Sequence, residues 1–498
     1  MTVAGMTGCS SGAPIDRDAI AGLSEQQLDV VETERAQLNA DEDGVPVTVR
    51  WIDEDGEEIE IDAMRFGDDV VADGDIYLGN AYELGVADQG HRGAGLIGHS
   101  GFQSTLWPRR TVHYQVAPGT STQFMTAAMA EWEARTGVRF VNGSSPGGHV
   151  EIRPAGAGCS ATVGHLPGHS SVLNVGPGCD TRRVWLHELG HTLGMRHEHN
   201  RADRDAYVDI FWENIIPGRE HNFRSYAEEG YPGVDLGPYD YDSIMHYSSF
   251  AFDDDGQPTI RRKDGSLVFT NPELSPVDVT SMQTLYEYFG DSTFDDRFYL
   301  EANGDVASAL LGQRHLGAQH WISHGRAEGR LASPSFDSKF YADMNADLAG
   351  HFGRENADGL TKHWMASGID EGRISSPVFD VNTYIERNPG LAGYSRREAL
   401  THWANVGLRF GSRASLVFDP HWYRATYSDI AAAFDARGAT THWLLHGIDE
   451  GRAGSADFDP TFYLSHNPDL GLAGIDTPRE ALVHFLQHGR YEGRPAHP

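Results

Sequence analysis

The 498-residue chain is poor in cysteine, poor in positive charge and without any long apolar run. Three cysteines cannot cross-link a chain of this length, so a disulfide-built scaffold is excluded and the fold must rest on a packed core. Hydrophobic residues make up 39% of the sequence, enough for such a core. No stretch of roughly 18 apolar residues occurs, which excludes a membrane-spanning helix. Lys and Arg number 39 against 72 Asp and Glu, a net charge of −33. A field of that sign repels phosphate backbones and anionic lipid, and excludes nucleic acid as a partner. The length allows about three domains of ordinary size.

The acidity is concentrated. Residues 16–75 hold 20 acids and 4 bases. Within them Val47-Thr48-Val49-Arg50-Trp51-Ile52 and Glu58-Ile59-Glu60-Ile61 alternate as short strands do. Residues 1–8 are too short and too weakly apolar for a signal peptide. Met6-Thr7-Gly8-Cys9-Ser10-Ser11 nevertheless resembles the box around the acylated cysteine of bacterial lipoproteins, without its hydrophobic stretch. Two readings stand: a lipid anchor on Cys9 with the true start upstream, and a stray Cys9 in a leader.

From Leu106 the texture changes. Thr111 to Val116 reads as a strand, and Thr122 to Arg135 as a helix with Phe124, Met125, Ala128, Met129 and Trp132 on one face and Gly137 as its stop. Val138 to Val141 and His149 to Arg153 read as further strands, giving a mixed α/β lobe. Beyond Gly194 the periodicity gives way to loops rich in Tyr, Asp and Gly until Val277 to Phe289, a closing helix.

The last third is repetitive. Phe-Asp pairs at Phe294, Phe336, Phe379, Phe418 and Phe458 recur at steps of 42, 43, 39 and 40 residues. Each is followed by a Tyr and by a helical stretch carrying His320, His363, His402, His442 or His484. Units of this length fit a helical stack whose core forms only between neighbours. They resemble Phe-Asp/His-Trp repeats of some bacterial secreted proteins. The repeated histidines read as part of each unit's packing, with metal or ligand binding as the rival.

The densest chemistry lies in His187-Glu188-Leu189-Gly190-His191-Thr192-Leu193-Gly194-Met195-Arg196-His197-Glu198. On a helix His187 and His191 project from one face about a turn apart, a spacing that holds one Zn²⁺. Glu188 stands beside them to take a proton from the metal's water. Gly194 lets the chain leave the helix and bring His197 round as third ligand. Three ligands leave one position open, the mark of a catalytic zinc.

The extended pattern is the metzincin signature. With Glu198 after the third His, with Arg201-Ala202-Asp203-Arg204-Asp205 and with Ser243-Ile244-Met245-His246-Tyr247, residues 93 to 290 resemble the astacin branch. Leu106-Trp107-Pro108 resembles the start of the mature domain, and Leu274-Ser275-Pro276-Val277-Asp278 the last helix. The resemblance implies an α+β, two-lobed metzincin domain with an active-site helix and a Met-turn at Met245. It implies Glu188 as general base and Tyr247 as a switchable ligand that hydrogen-bonds the oxyanion. Glu198 would anchor the new N-terminus, and Cys159 and Cys179 would form one of two disulfides usual in the family, with a catalytic thiol as the rival reading. Family pro-segments resemble Phe-x-Gly-Asp, whose Asp takes the water's position. The nearest match is Ala72-Asp73-Gly74-Asp75, which makes Asp75 the expected switch; Phe66-Gly67-Asp68 competes without the spacer, and a Cys9 thiolate is a further rival.

The sequence therefore divides into a leader and acidic pro-segment (1–95), a zinc protease domain (96–290) and five helical repeats (291–498). The expected function is a zinc endopeptidase made as a zymogen, secreted or on the outer cell surface, with one Zn²⁺ per chain. Its substrate is protein or peptide, laid along a sheet edge near Ser171 to Val175, and the repeats would hold a cell-surface or matrix ligand. The alternative is a non-catalytic adhesion protein whose repeats carry the function; intact Glu188 and Tyr247 weigh against it.

Overall fold

The computed structural model describes residues 44–52, 58–81, 84, 106–156, 158–166, 169–230 and 233–498; Cys9 and its flanking box lie outside them. The fold is α+β. The chain divides into two compact units, residues 1–98 with 110–285 and residues 99–109 with 286–498. Among the described residues no helix is long and apolar enough to cross a membrane.

A nine-stranded sheet organises the first unit. The leader contributes an antiparallel meander: β1 (Val45–Ile52), β2 (Glu58–Phe66), β3 (Asp69–Ala72) and β4 (Ile76–Asn80). Alternation explains it, because Val49, Ile61, Ala63, Val70 and Ala72 turn to one side and close a small core with Ala81 and Leu84. The remaining strands are β5 (Thr111–Val116), β6 (Arg139–Asn142), β7 (His149–Pro154), β8 (Cys159–Ala161) and β9 (Ser170–Val175). β6, β5, β7 and β9 run parallel, and β8 lies antiparallel to β9. β4 joins β8 in parallel through Ile76 and Ala161.

That order corrects the expected substrate edge. Ser171 to Val175 belong to β9, which sits between β7 and β8 with both sides paired. β8 in turn pairs with β4 on its other side, where the Ala161 amide donates to the Asp75 carbonyl at 2.9 Å.

Two helices underlie the sheet. α1 (Met125–Thr136) buries Met125, Ala128, Met129 and Trp132, the face its 3.6-residue period supplies. α2 (Arg182–Thr192) starts at Thr181, whose side chain accepts from the Val184 amide, and is buried from Val184 to Thr192. Trp132 Nε1 donates to the Leu186 carbonyl at 3.1 Å and locks the pair. The Cys159–Cys179 disulfide ties β8 to the loop before α2. Beyond α2 lie loops, a small sheet of β10 (Val208–Ile210) and β11 (Ile260–Arg262), and α3 (Pro276–Phe289).

In the second unit one local geometry recurs five times. Asp295, Asp337, Asp380, Asp419 and Asp459 cap short helices with their side chains. The Tyr that follows is wholly buried and bonds the unit's His: Tyr299 to His320 (2.7 Å), Tyr341 to His363 (3.0 Å), Tyr384 to His402 (2.8 Å), Tyr423 to His442 (3.1 Å) and Tyr463 to His484 (2.8 Å). After each His the helix widens into a π turn, as at Trp321–Gly325 and Trp443–Gly447. The glycine ending the turn is required, because a Cβ there would strike the tyrosine hydroxyl in every copy.

Each unit closes on itself through the backbone, the amides of Asp295, Asp337, Asp380, Asp419 and Asp459 donating to carbonyls of Ala332, Ser375, Ala414, Gly454 and Ala496, and the Ser375, Ser415 and Ser455 hydroxyls donate to carbonyls of Ser335, Pro377 and Leu416 in the preceding unit. Contacts also reach further. Arg437 grips both oxygens of Asp295 at 2.8 and 2.9 Å, Gln487 donates to the Asp343 carbonyl at 2.7 Å, and Arg397 pairs with Asp291. The first two bonds join units three apart, and the third joins the third unit to the segment just before the first. The expectation of a core formed only between neighbours is thereby corrected: one hydrophobic cluster runs from Phe298 to Ala496, clamped at every third step.

Candidate metal centre

α2 presents His187 and His191 one turn apart, as the spacing requires. At Gly194 the chain takes φ 109°, open to glycine at little cost, and returns with His197. The loop carrying Met245 passes beneath: its sulfur lies so close to Gly190 that a Cβ there would sit 2.7 Å from it. Asp278, in the first turn of α3, holds this loop by accepting from Ser243 Oγ (2.6 Å) and the Ile244 amide (2.9 Å). Ile244 then accepts from His187 Nδ1 at 2.8 Å, and the Met195 carbonyl accepts from His191 Nδ1 at 2.8 Å. Both protons are thus fixed on Nδ1, and Nε2 is left with its lone pair.

Three Nε2 atoms converge on one carboxylate. Asp75 Oδ2 lies 3.0 Å from His187, and Oδ1 lies 3.3 Å from His191 and 3.0 Å from His197. The four donor atoms fall within 4.8 Å of one another, and all four residues are buried. Burial holds His197 down at about 4 and His191 below its ordinary value, so these rings are neutral at pH 7. Burial opposes the Asp75 charge too, and its carboxyl falls well below the usual range only where His197, His191 and His187 turn positive charge or protons towards it. Neutral imidazole lone pairs facing a carboxylate repel unless a cation stands between them. Asp75 Oδ1, His191 Nε2 and His197 Nε2 are buried without hydrogen-bond partners, as ligand atoms would be. Three imidazoles and a carboxylate oxygen are a tetrahedral zinc donor set.

Glu188 is buried beside this centre. Burial and then the Asp75 charge push its carboxyl well above the usual range, and its Oε2 has no hydrogen-bond partner. Tyr247, also buried, stacks on His199 with centroids 4.1 Å apart. Its hydroxyl donates to the Asp73 carbonyl at 2.6 Å. Glu198 accepts from the Asp240 amide (2.8 Å) and Arg201 (3.1 Å), and burial lifts its carboxyl to about 8. Asp68, the competing switch candidate, lies on an exposed turn.

Some residues of the site escaped the sequence reading. Asp278 positions the Met245 loop, and its only signal was its place in the closing helix. The Asp73 carbonyl carries no sequence signal, being backbone. Arg153, Arg196 and Arg224 meet the leader's Asp69 (2.7 Å), Asp73 (3.6 Å) and Asp62 (3.1 Å), which gives part of the leader's acidity a docking role.

The chain is similar to known proteins mainly within its first unit. Residues 100–287 match the model of the peptidase family Astacin. The chain is similar to zinc metalloproteinase nas-14 of Caenorhabditis elegans, 36% identical over 192 residues, covering 37% of this chain and 38% of that protein. It is similar to astacin-like metalloprotease toxin 1 of Loxosceles intermedia, 35% identical over 195 residues, covering 37% of this chain and 73% of the toxin. Among solved structures, high choriolytic enzyme 1, a hatching enzyme zinc-protease from Oryzias latipes, aligns at 30% identity with a TM-score of 0.34, covering 37% of this chain and 95% of that one. The chain thus spans well under half of the nematode proteinase but most of the toxin. Three histidines on one carboxylate, set over a methionine loop, are the centre of a chain that belongs to the astacin family.

Proposed function

We propose that the protein is a secreted zinc-dependent endopeptidase, held latent by its own leader. The observation that carries this reading is the Asp75 carboxylate, lodged among His187, His191 and His197 beside a buried Glu188. Zinc, when bound by the three histidines, supplies the Lewis acidity that polarises a scissile carbonyl and draws the pKa of water towards about 7. Glu188 takes the proton from the attacking water and delivers it to the leaving amine. Tyr247 donates its hydroxyl to the oxyanion of the tetrahedral intermediate. A protein or peptide substrate lies extended along β8, held by main-chain pairing once β4 has left.

The leader opposes each step. Asp75 fills the position of the nucleophile, and its charge adds to burial in pushing the Glu188 carboxyl up. Asp73 occupies the Tyr247 hydroxyl, and β4 covers the rim of β8. Glu198 receives the new N-terminus after cleavage. Residues 291–498 act as a separate array of five helical repeats that retains the enzyme on a surface or matrix ligand. Casein hydrolysis after removal of the leader tests the reading. It is expected to vanish with o-phenanthroline and return with zinc; leaderless protein that binds zinc yet cleaves nothing would leave the repeats as the functional part.

A further inference from the structure

We propose that the second unit carries three surface sites for a borderline divalent cation such as Zn²⁺, Cu²⁺ or Ni²⁺. Each is a histidine pair four residues apart: His320 with His324, His442 with His446, and His484 with His488. The first histidine of each pair lies in the recurring unit, bonded to its buried tyrosine. The second stands at the far end of the π turn, where the other two units have Ser367 and Val406. His324, His446 and His488 are all exposed.

The rings of each pair stand within reach of one ion. The ring centroids of the three pairs lie 5.5, 5.7 and 5.4 Å apart. Within the metal centre of the first unit, His187 and His197 share a cation site with centroids 5.4 Å apart. Rotation of one exposed side chain covers the small difference. The tyrosine supplies what a metal-bound histidine ordinarily has, a partner for its other nitrogen. With Nδ1–H donating to the phenol oxygen, Nε2 keeps its lone pair for a cation, and it has no partner among the described residues.

Charge favours the same occupant. Beside His320 stand Asp305, Glu328 and Arg330; beside His442, Asp429, Glu450 and Arg452; beside His484, Asp469, Glu492 and Arg494. Each set is one charge negative. Burial, with the nearby arginine, pulls His320 and His484 below their ordinary values, and burial does the same for His442. Imidazole pairs select borderline transition metals over Ca²⁺ or Mg²⁺. Two protein ligands leave the other positions to water or to a donor from another molecule, so these sites bind more weakly than the three-histidine centre.

The test is equilibrium dialysis of the full chain against rising Zn²⁺, with bound metal counted by elemental analysis. Wild type is expected to take up one ion tightly and three more at higher concentration. The triple variant His324→Ala, His446→Ala, His488→Ala is expected to keep the tight ion and lose the other three, with unchanged circular dichroism because all three side chains are exposed. Each single variant should lose one. Uptake limited to the tight ion in wild type, or three weak ions persisting in the triple variant, overturns the proposal.

Discussion

Tyr247 and Asp73 are joined by a 2.6 Å hydrogen bond from the phenol to the backbone carbonyl, two residues before the carboxylate that meets the three histidines. One tight turn therefore engages the three histidines and the Tyr247 hydroxyl together. Gly74 lies between them at φ 82°, where a Cβ would sit 2.9 Å from the Phe252 ring and strike the Tyr247 hydroxyl.

Unprocessed Asp75→Ala is expected to hydrolyse a short peptide at least about 10-fold faster than unprocessed wild type, a shift of about 1.4 kcal/mol in barrier. Gly74→Ala should leak as well, since the turn cannot seat. Asp68→Ala and Cys9→Ser should stay as latent as wild type. Equal latency in all four variants would reduce the leader to a steric cover.

After processing, Glu188→Ala should retain zinc near one per chain while hydrolysis falls at least about 10²-fold. Glu188 lies outside the donor set, so its loss leaves the metal in place. His197→Ala should lose both metal and activity, read by elemental analysis beside a peptide assay.

Much of this site was legible because its chemistry is local in sequence. His187, Glu188 and His191 occupy one helix, and Gly194 announces the turn to His197. The acidic match at Asp75 was also readable. What escaped was set by the third dimension: β9 reads as an edge strand until β8 folds back on it, and Asp278 gains its role only through packing under Ser243. The recurring Phe-Asp spacing revealed the units of the C-terminal third. It gave no sign that Arg437 would reach Asp295, because nothing in a 40-residue period tells how many units complete a turn.

Replacing both Cys159 and Cys179 by Ala should lower stability by about 3 kcal/mol, the loop-closure value for a separation of 20 residues. Urea unfolding of the first unit under oxidising conditions measures it. Activity should fall less than stability, because the bond fixes β8 against the loop before α2 and touches no ligand.

Arg437→Met should destabilise the second unit by about 3 kcal/mol, at the low end for a broken buried pair since Asp295 keeps some solvent contact. Adding Asp295→Asn, which preserves the helix cap, should recover most of the loss. Thermal unfolding of the single and double variants checks it; no recovery in the double variant would argue against a charge effect.

Acid should unfold the first unit through its buried histidines. Burial holds His246 and His221 at about 4, against 6.5 when exposed. Between those values the unfolded chain binds more protons, so stability falls as pH drops from 6.5 towards 4 and is fully present above 6.5. Each group contributes on the order of 3 kcal/mol across that window. His246 donates Nδ1–H to the Tyr247 carbonyl and accepts from Tyr239, which leaves no place for a second proton. In urea titrations at pH 7 and pH 4.5, His246→Gln should show a smaller difference than wild type.

The clamp between every third unit sets a minimum length for the array. Two consecutive units of this chain cannot form it, and the bonds from Arg437 to Asp295 and from Gln487 to Asp343 require the fourth and fifth units. Stability should therefore rise in a step as the coil closes its first full turn, instead of growing evenly with each added unit. Loss of the last unit would release its neighbour and also reopen the turn below.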